Sequence, residues 1–134
     1  MKPLTNFELI EIQLDWVDAG NKIIIPFNTN FREKKIVLIQ VFDEGMNQRA
    51  PSGRKMFHLE SVPGYLTLYD INGISKIKQA PLAIFKKNIW KQAFSYPFEE
   101  LIIDNARSYI EYPGIVIDPV SITKSFLMAF HFKD

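Results

Sequence analysis

The dipeptide Asn72-Gly73, between two arms of β-forming residues at 65–80, limits the fold more than any other feature of the sequence. Both residues tolerate the positive φ angles that a type I′ turn requires, so the segment predicts a β-hairpin. A two-residue loop would pair Ile71 with Ile74, Tyr69 with Lys76, Leu68 with Ile77 and Thr67 with Lys78. One face then carries Leu66, Leu68 and Ile77, and the other carries Tyr65, Thr67, Tyr69, Lys76 and Lys78. The segment therefore predicts half of one sheet of a β-sandwich.

Two further segments have the two-residue period of a β-strand. From Ile10 to Trp16 apolar residues alternate with polar ones, whereas Phe7 and Leu9 have the opposite parity. A β-bulge near Leu9 and Ile10 would reconcile the two halves. The last strand is expected at 122–132, where one face carries Ile122, Phe126, Met128, Phe130 and Phe132.

The segment 35–42 is apolar on both parities. This pattern is typical of a central strand that is covered on both faces, or of one whose second face meets another subunit. Further short strands are expected at 22–26, 56–60, 82–85, 100–104, 108–112 and 115–117. Two long connections, 43–55 and 86–98, lie between them, and connections of this length are usually functional or mobile.

Length and composition indicate a single β-sandwich domain over residues 1–134. About eight or nine strands are expected, and no stretch has a sustained helical period. We favour a jelly roll over an immunoglobulin-like sandwich. In a jelly roll the first and last long strands can lie side by side, and one tight hairpin coexists with longer crossings between the sheets.

The charge balance and the apolar pattern bear on partners and location. The formal net charge is +1, so no global field attracts nucleic acid or an anionic membrane. Apolar runs are too short to span a bilayer, and Glu8 and Glu11 interrupt the N-terminal region where a signal peptide would be apolar. Cysteine is absent, which suits a reducing cytosol or a particle assembled there.

No motif in the sequence indicates a reaction. His58 and His131 each lie in a predicted strand beside aromatic residues, and no third ligand has the spacing of a metal site. Neither a nucleophile elbow nor a glycine-rich phosphate loop occurs. The sequence therefore predicts a protein that is not an enzyme, with no catalytic residues, no cofactor and no metal.

A basic cluster lies in and after the hairpin. It consists of Lys76, Lys78, Lys86, Lys87 and Lys91. With the tyrosines of the same face it could bind nucleic acid. We prefer the interpretation that outward lysines protect a sheet edge from pairing with other chains.

Seven apolar and aromatic residues are the candidates for an interface or a ligand site. They are Ile89, Trp90, Phe94, Tyr96, Phe98, Tyr65 and Tyr69. If the rings of the 86–98 segment cover the open end of the sandwich, they are core. If they are exposed, they mark a subunit contact or a platform for stacking sugars.

The chain resembles the small jelly-roll structural proteins of tailless icosahedral bacterial viruses. The resemblance covers roughly its central half. It rests on Tyr65-Leu-Thr-Leu-Tyr-Asp, Asn72-Gly73, Ala80-Pro81-Leu82, Asp104 and Ser108-Tyr109-Ile110. It implies a capsid, vertex or minor capsid subunit, oligomeric around a symmetry axis, with no catalytic residues.

Two functions follow as expectations. The first is a structural subunit of a virion, which associates with itself and with other virion proteins and is assembled in the host cytoplasm. The second is a carbohydrate-binding or adhesive β-sandwich, soluble in the cytoplasm, which would bind a sugar through Trp90 and Tyr96.

Overall fold

In a computed structural model, the chain forms two four-stranded β-sheets in which all pairings between the strands are antiparallel. The model describes residues 6–16, 22–43, 49–56, 64–86, 96–112 and 123–133, with the backbone alone at 16 and 96–100. The strands are β1 (Asn6–Gln13), β2 (Lys22–Ile24), β3 (Lys35–Phe42), β4 (Tyr65–Tyr69), β5 (Ser75–Pro81), β6 (Tyr96–Leu101), β7 (Tyr109–Glu111) and β8 (Ser125–Lys133). The predicted all-β sandwich is confirmed.

The strand order pairs early strands with late ones. One sheet has the order β1-β8-β3-β6, and the other has the order β2-β7-β4-β5. The first and last long strands lie side by side, as predicted. Only the β4–β5 connection stays within one sheet, and every other connection between consecutive strands crosses from one sheet to the other.

The core lies between the two sheets and is rich in rings. Phe31 packs edge-on against Phe27 and Phe132, with ring centroids 5.1 and 5.3 Å apart, and Phe130 lies 5.0 Å from Phe27. Aliphatic residues of both inner faces complete the core, among them Ile12, Ile23, Ile36, Ile39, Leu66, Leu68 and Ile110. Each such fully buried side chain contributes roughly 1.5–3 kcal/mol. The predicted inner face of the last strand is confirmed over 126–132.

The bulge predicted in β1 is wrong. The register with β8 runs without interruption from Asn6 opposite Phe132 to Gln13 opposite Ser125. Phe7 and Leu9 therefore stay on the outer face, where they are 59% and 45% exposed. Glu8 occupies the inward position, so β1 keeps one parity throughout.

The β4–β5 hairpin forms as predicted, but its turn type differs. Gly73 N–H donates to the Asp70 carbonyl, and Asp70 N–H donates to the Ile74 carbonyl. Among the described residues of this turn, Gly73 alone has a positive φ, of +81°, which is the pattern of a type I turn followed by a glycine bulge. The Asp70 carboxylate favours this geometry because its Oδ1 accepts hydrogen bonds from the N–H groups of Asn72 and Ile74.

The longer turn and a register shift between Leu66 and Leu68 change which residues of the two arms lie opposite each other. Leu68 lies opposite Ile77 as predicted, but Tyr69 lies opposite Ser75 rather than Lys76. Gln79 has a φ of +50°, and its N–H donates to Thr67 Oγ1. Thr67 is consequently only 2% exposed. The inner face predicted for the hairpin is confirmed, but three of the four predicted residue pairs are wrong.

Two other expectations have different outcomes. The strand expected at 82–85 is a 3-10 helix, Leu82–Phe85, in which Leu82 and Phe85 are buried. Lys86 N–H donates to the Ala83 carbonyl and closes it. Of the strand expected at 56–60, Met56 is described and forms an isolated bridge with Ser125. The rest of that segment and the strand expected at 115–117 lie outside the described residues. Within the described part, no helix is long and apolar enough to cross a membrane.

Candidate functional site

The structure describes the side chains of two of the seven candidate residues, Tyr65 and Tyr69. Ile89, Trp90 and Phe94 lie outside the described residues, and for Tyr96 and Phe98 only the backbone is placed, in β6. The choice between core, subunit contact and sugar platform for the 86–98 segment therefore stays a prediction. Tyr65 and Tyr69 are both half-buried in β4.

Tyr65 and Tyr69 belong to an outward surface that the sequence did not reveal in full. In the same sheet, Tyr109 of β7 lies opposite both Thr67 of β4 and Ile24 of β2. Ile24 is 58% exposed, and Lys22 Nζ lies 4.4 Å from the centroid of the Tyr109 ring. We call Ile24, Tyr65, Tyr69 and Tyr109 the tyrosine surface. Alternation within each strand predicts that Ile24 and Tyr109 share one face only if β2 and β7 are known to pair, and the sequence does not show that pairing.

The outer face of the other sheet carries a second apolar patch. The Phe7 and His131 rings lie on neighbouring strands with centroids 5.5 Å apart, and Leu38 lies opposite His131 on the next strand. His131 Nε2–H donates to Gln40 Oε1 at 3.0 Å. Burial lowers the pKa of His131, which favours the neutral ring in this patch. We call Phe7, Leu9, Leu38 and His131 the β1 surface.

The remainder of this face is covered by the segment 49–56. Ala50 and Met56 pack against Leu127 and Phe42 and form a small second core on the outside of the sheet. Leu127 is consequently 5% exposed although it points away from the main core. The outer face of the sheet is therefore covered at one end and open at the β1 surface.

A carboxylate holds the covering segment in place. Glu11 accepts hydrogen bonds from Ser52 N–H at 3.0 Å, from Ser52 Oγ–H at 2.6 Å and from Ser125 Oγ–H at 2.8 Å. Burial acts to raise the pKa of Glu11, but the hydrogen bonds from Ser52, Ser125 and Gln13 outweigh it and hold the pKa below its ordinary value. Arg54 Nη1 donates to Gln13 Oε1 at 2.7 Å and fixes the same segment to the end of β1.

The β1 surface lies beside a sheet edge. β1 is the first strand of the β1-β8-β3-β6 sheet, and no described strand pairs with its outer edge. From Asn6 to Ile10 it has no lysine, proline or bulge to protect the edge from another chain, and its one charged residue, Glu8, faces inward and binds the backbone of 28–29. The strand thus combines an outer edge on which no described strand pairs with exposed Phe7 and Leu9.

The three described lysines of the predicted basic cluster have different environments. Lys86 Nζ lies 3.2 Å from Oδ1 of Asp43, whose side chain is fully buried. Lys76 lies 3.9 Å from Asp70 Oδ2, and Lys78 is exposed on β5. Lys87 and Lys91 lie outside the described residues. Lys86 therefore contributes to an internal ion pair rather than to a binding surface.

The described side chains offer surfaces rather than a reactive cluster. Among them no group of three or more His, Cys, Asp or Glu residues could hold a metal ion. His58 lies outside the described residues, and His131 contacts an amide and a ring. Comparison of the chain with protein-family models, with curated proteins and with solved structures found no match.

Proposed function

We propose that the protein is a non-enzymatic structural subunit of a virus particle, a capsid, vertex or minor capsid protein that acts through contacts between subunits. The proposal includes a jelly-roll topology for the sandwich. It has two supports, the order of the strands and the exposed apolar side chains on the edge strand β1.

The strand order favours a jelly roll over an immunoglobulin-like sandwich. The pairs β1–β8, β2–β7, β3–β6 and β4–β5 are nested around one hairpin, and successive pairs alternate between the two sheets. Such nesting is what results when a long antiparallel ribbon is rolled into two sheets of four strands. In an immunoglobulin-like sandwich the first two strands share a sheet, whereas here β1 and β2 lie in different sheets.

The observation that carries the subunit role is the β1 surface. Exposed apolar side chains on an open edge strand promote pairing with another chain, and monomeric proteins usually protect such edges. Phe7 is 59% exposed and Leu9 is 45% exposed on β1. We assign this surface to a second copy of the same chain, because an assembly around a symmetry axis repeats one contact between identical subunits.

Light scattering after size exclusion tests this assignment. The wild-type chain should form oligomers whose population rises with concentration, and the double variant Phe7→Ser and Leu9→Ser should shift toward monomer. The matched control is Ile74→Ser, which removes an apolar side chain that is 56% exposed at the hairpin turn, and it should associate like wild type. A wild-type chain that stays monomeric at high concentration contradicts the assignment.

The viral part of the proposal needs its own experiment. Mass spectrometry of purified particles from a host that carries the gene should detect the chain at a fixed ratio to the other particle proteins. Absence of the chain from particles, while it is abundant in the cell extract, would reject the virion role even if the chain self-associates.

A further inference from the structure

One end of the sandwich carries two arginines that share one buried carboxylate. Arg32 lies in the connection before β3, and Arg107 lies in the turn before β7. The Asp104 side chain is 8% exposed, and its Oδ2 lies 3.3 Å from Arg32 Nη2 and 3.6 Å from Arg107 Nε. Because both distances end on the same oxygen, the two nitrogens lie within about 7 Å of each other, a span that one oxyanion can bridge.

We propose that Arg32 and Arg107 together form a binding site for phosphate groups. A guanidinium carries five N–H donors in a planar fork, and the contact with Asp104 uses one nitrogen of each arginine. The two arginine side chains are 60% and 62% exposed, so much of each is accessible to a ligand from solvent. A phosphate between them accepts hydrogen bonds from both forks.

Most of the described acidic groups near the pair already accept hydrogen bonds from other donors. Asp104 is one carboxylate shared by two guanidiniums, and its Oδ1 also accepts from Ala106 N–H. Glu8 and Asp70 are buried, and each accepts hydrogen bonds from two backbone N–H groups. Among the described residues of the three connections at this end, 25–34, 70–74 and 102–108, Glu33 is the exposed carboxylate.

Further positive charge lies at the same end. Lys34 and Lys35 follow Arg32 in the chain after the intervening Glu33, and Lys133 lies opposite Lys35 across the β3–β8 pair. Each of these lysines carries a formal positive charge, although the net charge of the whole chain is only +1.

The β4–β5 turn leaves room for Arg107. A Cβ atom at Gly73 would lie 2.7 Å from Arg107 Nη1, and Gly73 has a φ of +81°. Glycine at this position therefore allows both the turn and the close approach of the guanidinium. The site is built from three connections that are distant in the sequence, and it does not depend on the subunit role proposed above.

NMR titration of the arginine Nε–Hε signals of the full chain tests the site. Two probes are added at constant ionic strength: sodium phosphate, and a single-stranded DNA oligonucleotide without terminal phosphates. Saturable shifts of the Arg32 and Arg107 signals with either probe support the proposal. A response to sodium phosphate alone identifies a site for free phosphate, whereas tighter binding of the oligonucleotide identifies the phosphodiester backbone as the source.

Variants distinguish binding at this site from attraction by the overall charge of the chain. Arg32→Gln and Arg107→Gln should each weaken binding about tenfold or more, since each removes charge-assisted hydrogen bonds. Lys78→Gln removes one positive charge from β5 and should change binding less than twofold. Arg107→Lys keeps the positive charge, so it remains informative if the glutamine variants unfold, and it should also bind more weakly because it lacks the planar fork. Absence of shifts with both probes, or equal binding by Arg107→Lys and wild type, overturns the proposal.

Discussion

Replacement of Glu8 by Gln tests how the edge strand β1 is held. The two carboxylate oxygens of Glu8 accept hydrogen bonds from Asn28 N–H at 2.7 Å and from Thr29 N–H at 2.6 Å. Glu8 is 9% exposed, so water cannot readily replace either bond. These bonds join the inner face of β1 to the connection between β2 and β3.

The expected loss follows from the chemistry of the amide. Glutamine has nearly the same shape as glutamate, but it offers one acceptor oxygen and places an NH₂ group against the second backbone donor. A hydrogen bond to a charged group contributes about 1.5–3 kcal/mol, and a buried donor without an acceptor costs about 1–3 kcal/mol. We therefore expect Glu8→Gln to lower the free energy of unfolding by roughly 2–4 kcal/mol. For a chain of this size, each kcal/mol corresponds to a fall in Tm of roughly 4 °C.

Urea unfolding followed by fluorescence measures the loss, and hydrogen exchange locates it. The amides of Asn28 and Thr29 should exchange faster in Glu8→Gln than in wild type. The control is Glu33→Gln, which removes the same charge from an exposed position and should change stability by less than about 0.5 kcal/mol. If the two variants lose the same small amount, the Glu8 bonds do not hold β1 and the reasoning fails.

Two further predictions concern other polar groups. The Tyr112 hydroxyl is buried, has no hydrogen-bond partner in the described structure, and has its pKa raised by burial. Tyr112→Phe should therefore leave stability unchanged or raise it by about 1 kcal/mol, as measured by urea unfolding; a loss above that amount would reveal a partner. The pKa of Glu11 lies below 4.5 in the folded chain, so its stabilisation is present above that pH and is lost as pH falls through the folded pKa. Glu11→Gln should be less stable than wild type at neutral pH, and the difference should close in acid; a constant difference would contradict the linkage.

The strands were predictable where one face is consistently apolar. Leu66, Leu68 and Ile77 point inward as alternation predicts, and 35–42 forms β3 with the predicted bounds. The turn type was less predictable, because Asn72-Gly73 fits both a two-residue and a three-residue loop. The hydrogen bonds of the preceding residue, Asp70, select the longer loop.

The sequence does not predict the exposed Phe7 and Leu9, because apolar residues are expected to face inward at every position of β1. Alternation therefore predicts a bulge near Leu9, since the alternative leaves two large apolar side chains outside and a glutamate inside. A single sequence does not show that the N–H groups of 28–29 would reach Glu8. The N–H donors to the buried Glu8 carboxylate come from another connection, so the inward position of Glu8 becomes reasonable only in three dimensions.

Alternation along β1 places different side chains on its outer face at the two ends of the strand. At its C-terminal end the carboxylate of Glu11 points outward and binds the segment 49–56, which covers the sheet from outside. At its N-terminal end the carboxylate of Glu8 points inward, so the positions on either side of it, Phe7 and Leu9, must point outward. If the stability of the single chain were the only requirement, polar side chains would be expected at these two positions, because exposed Phe and Leu on an edge strand favour association. The direction of one buried carboxylate thus creates the exposed apolar pair on which the proposed subunit contact depends.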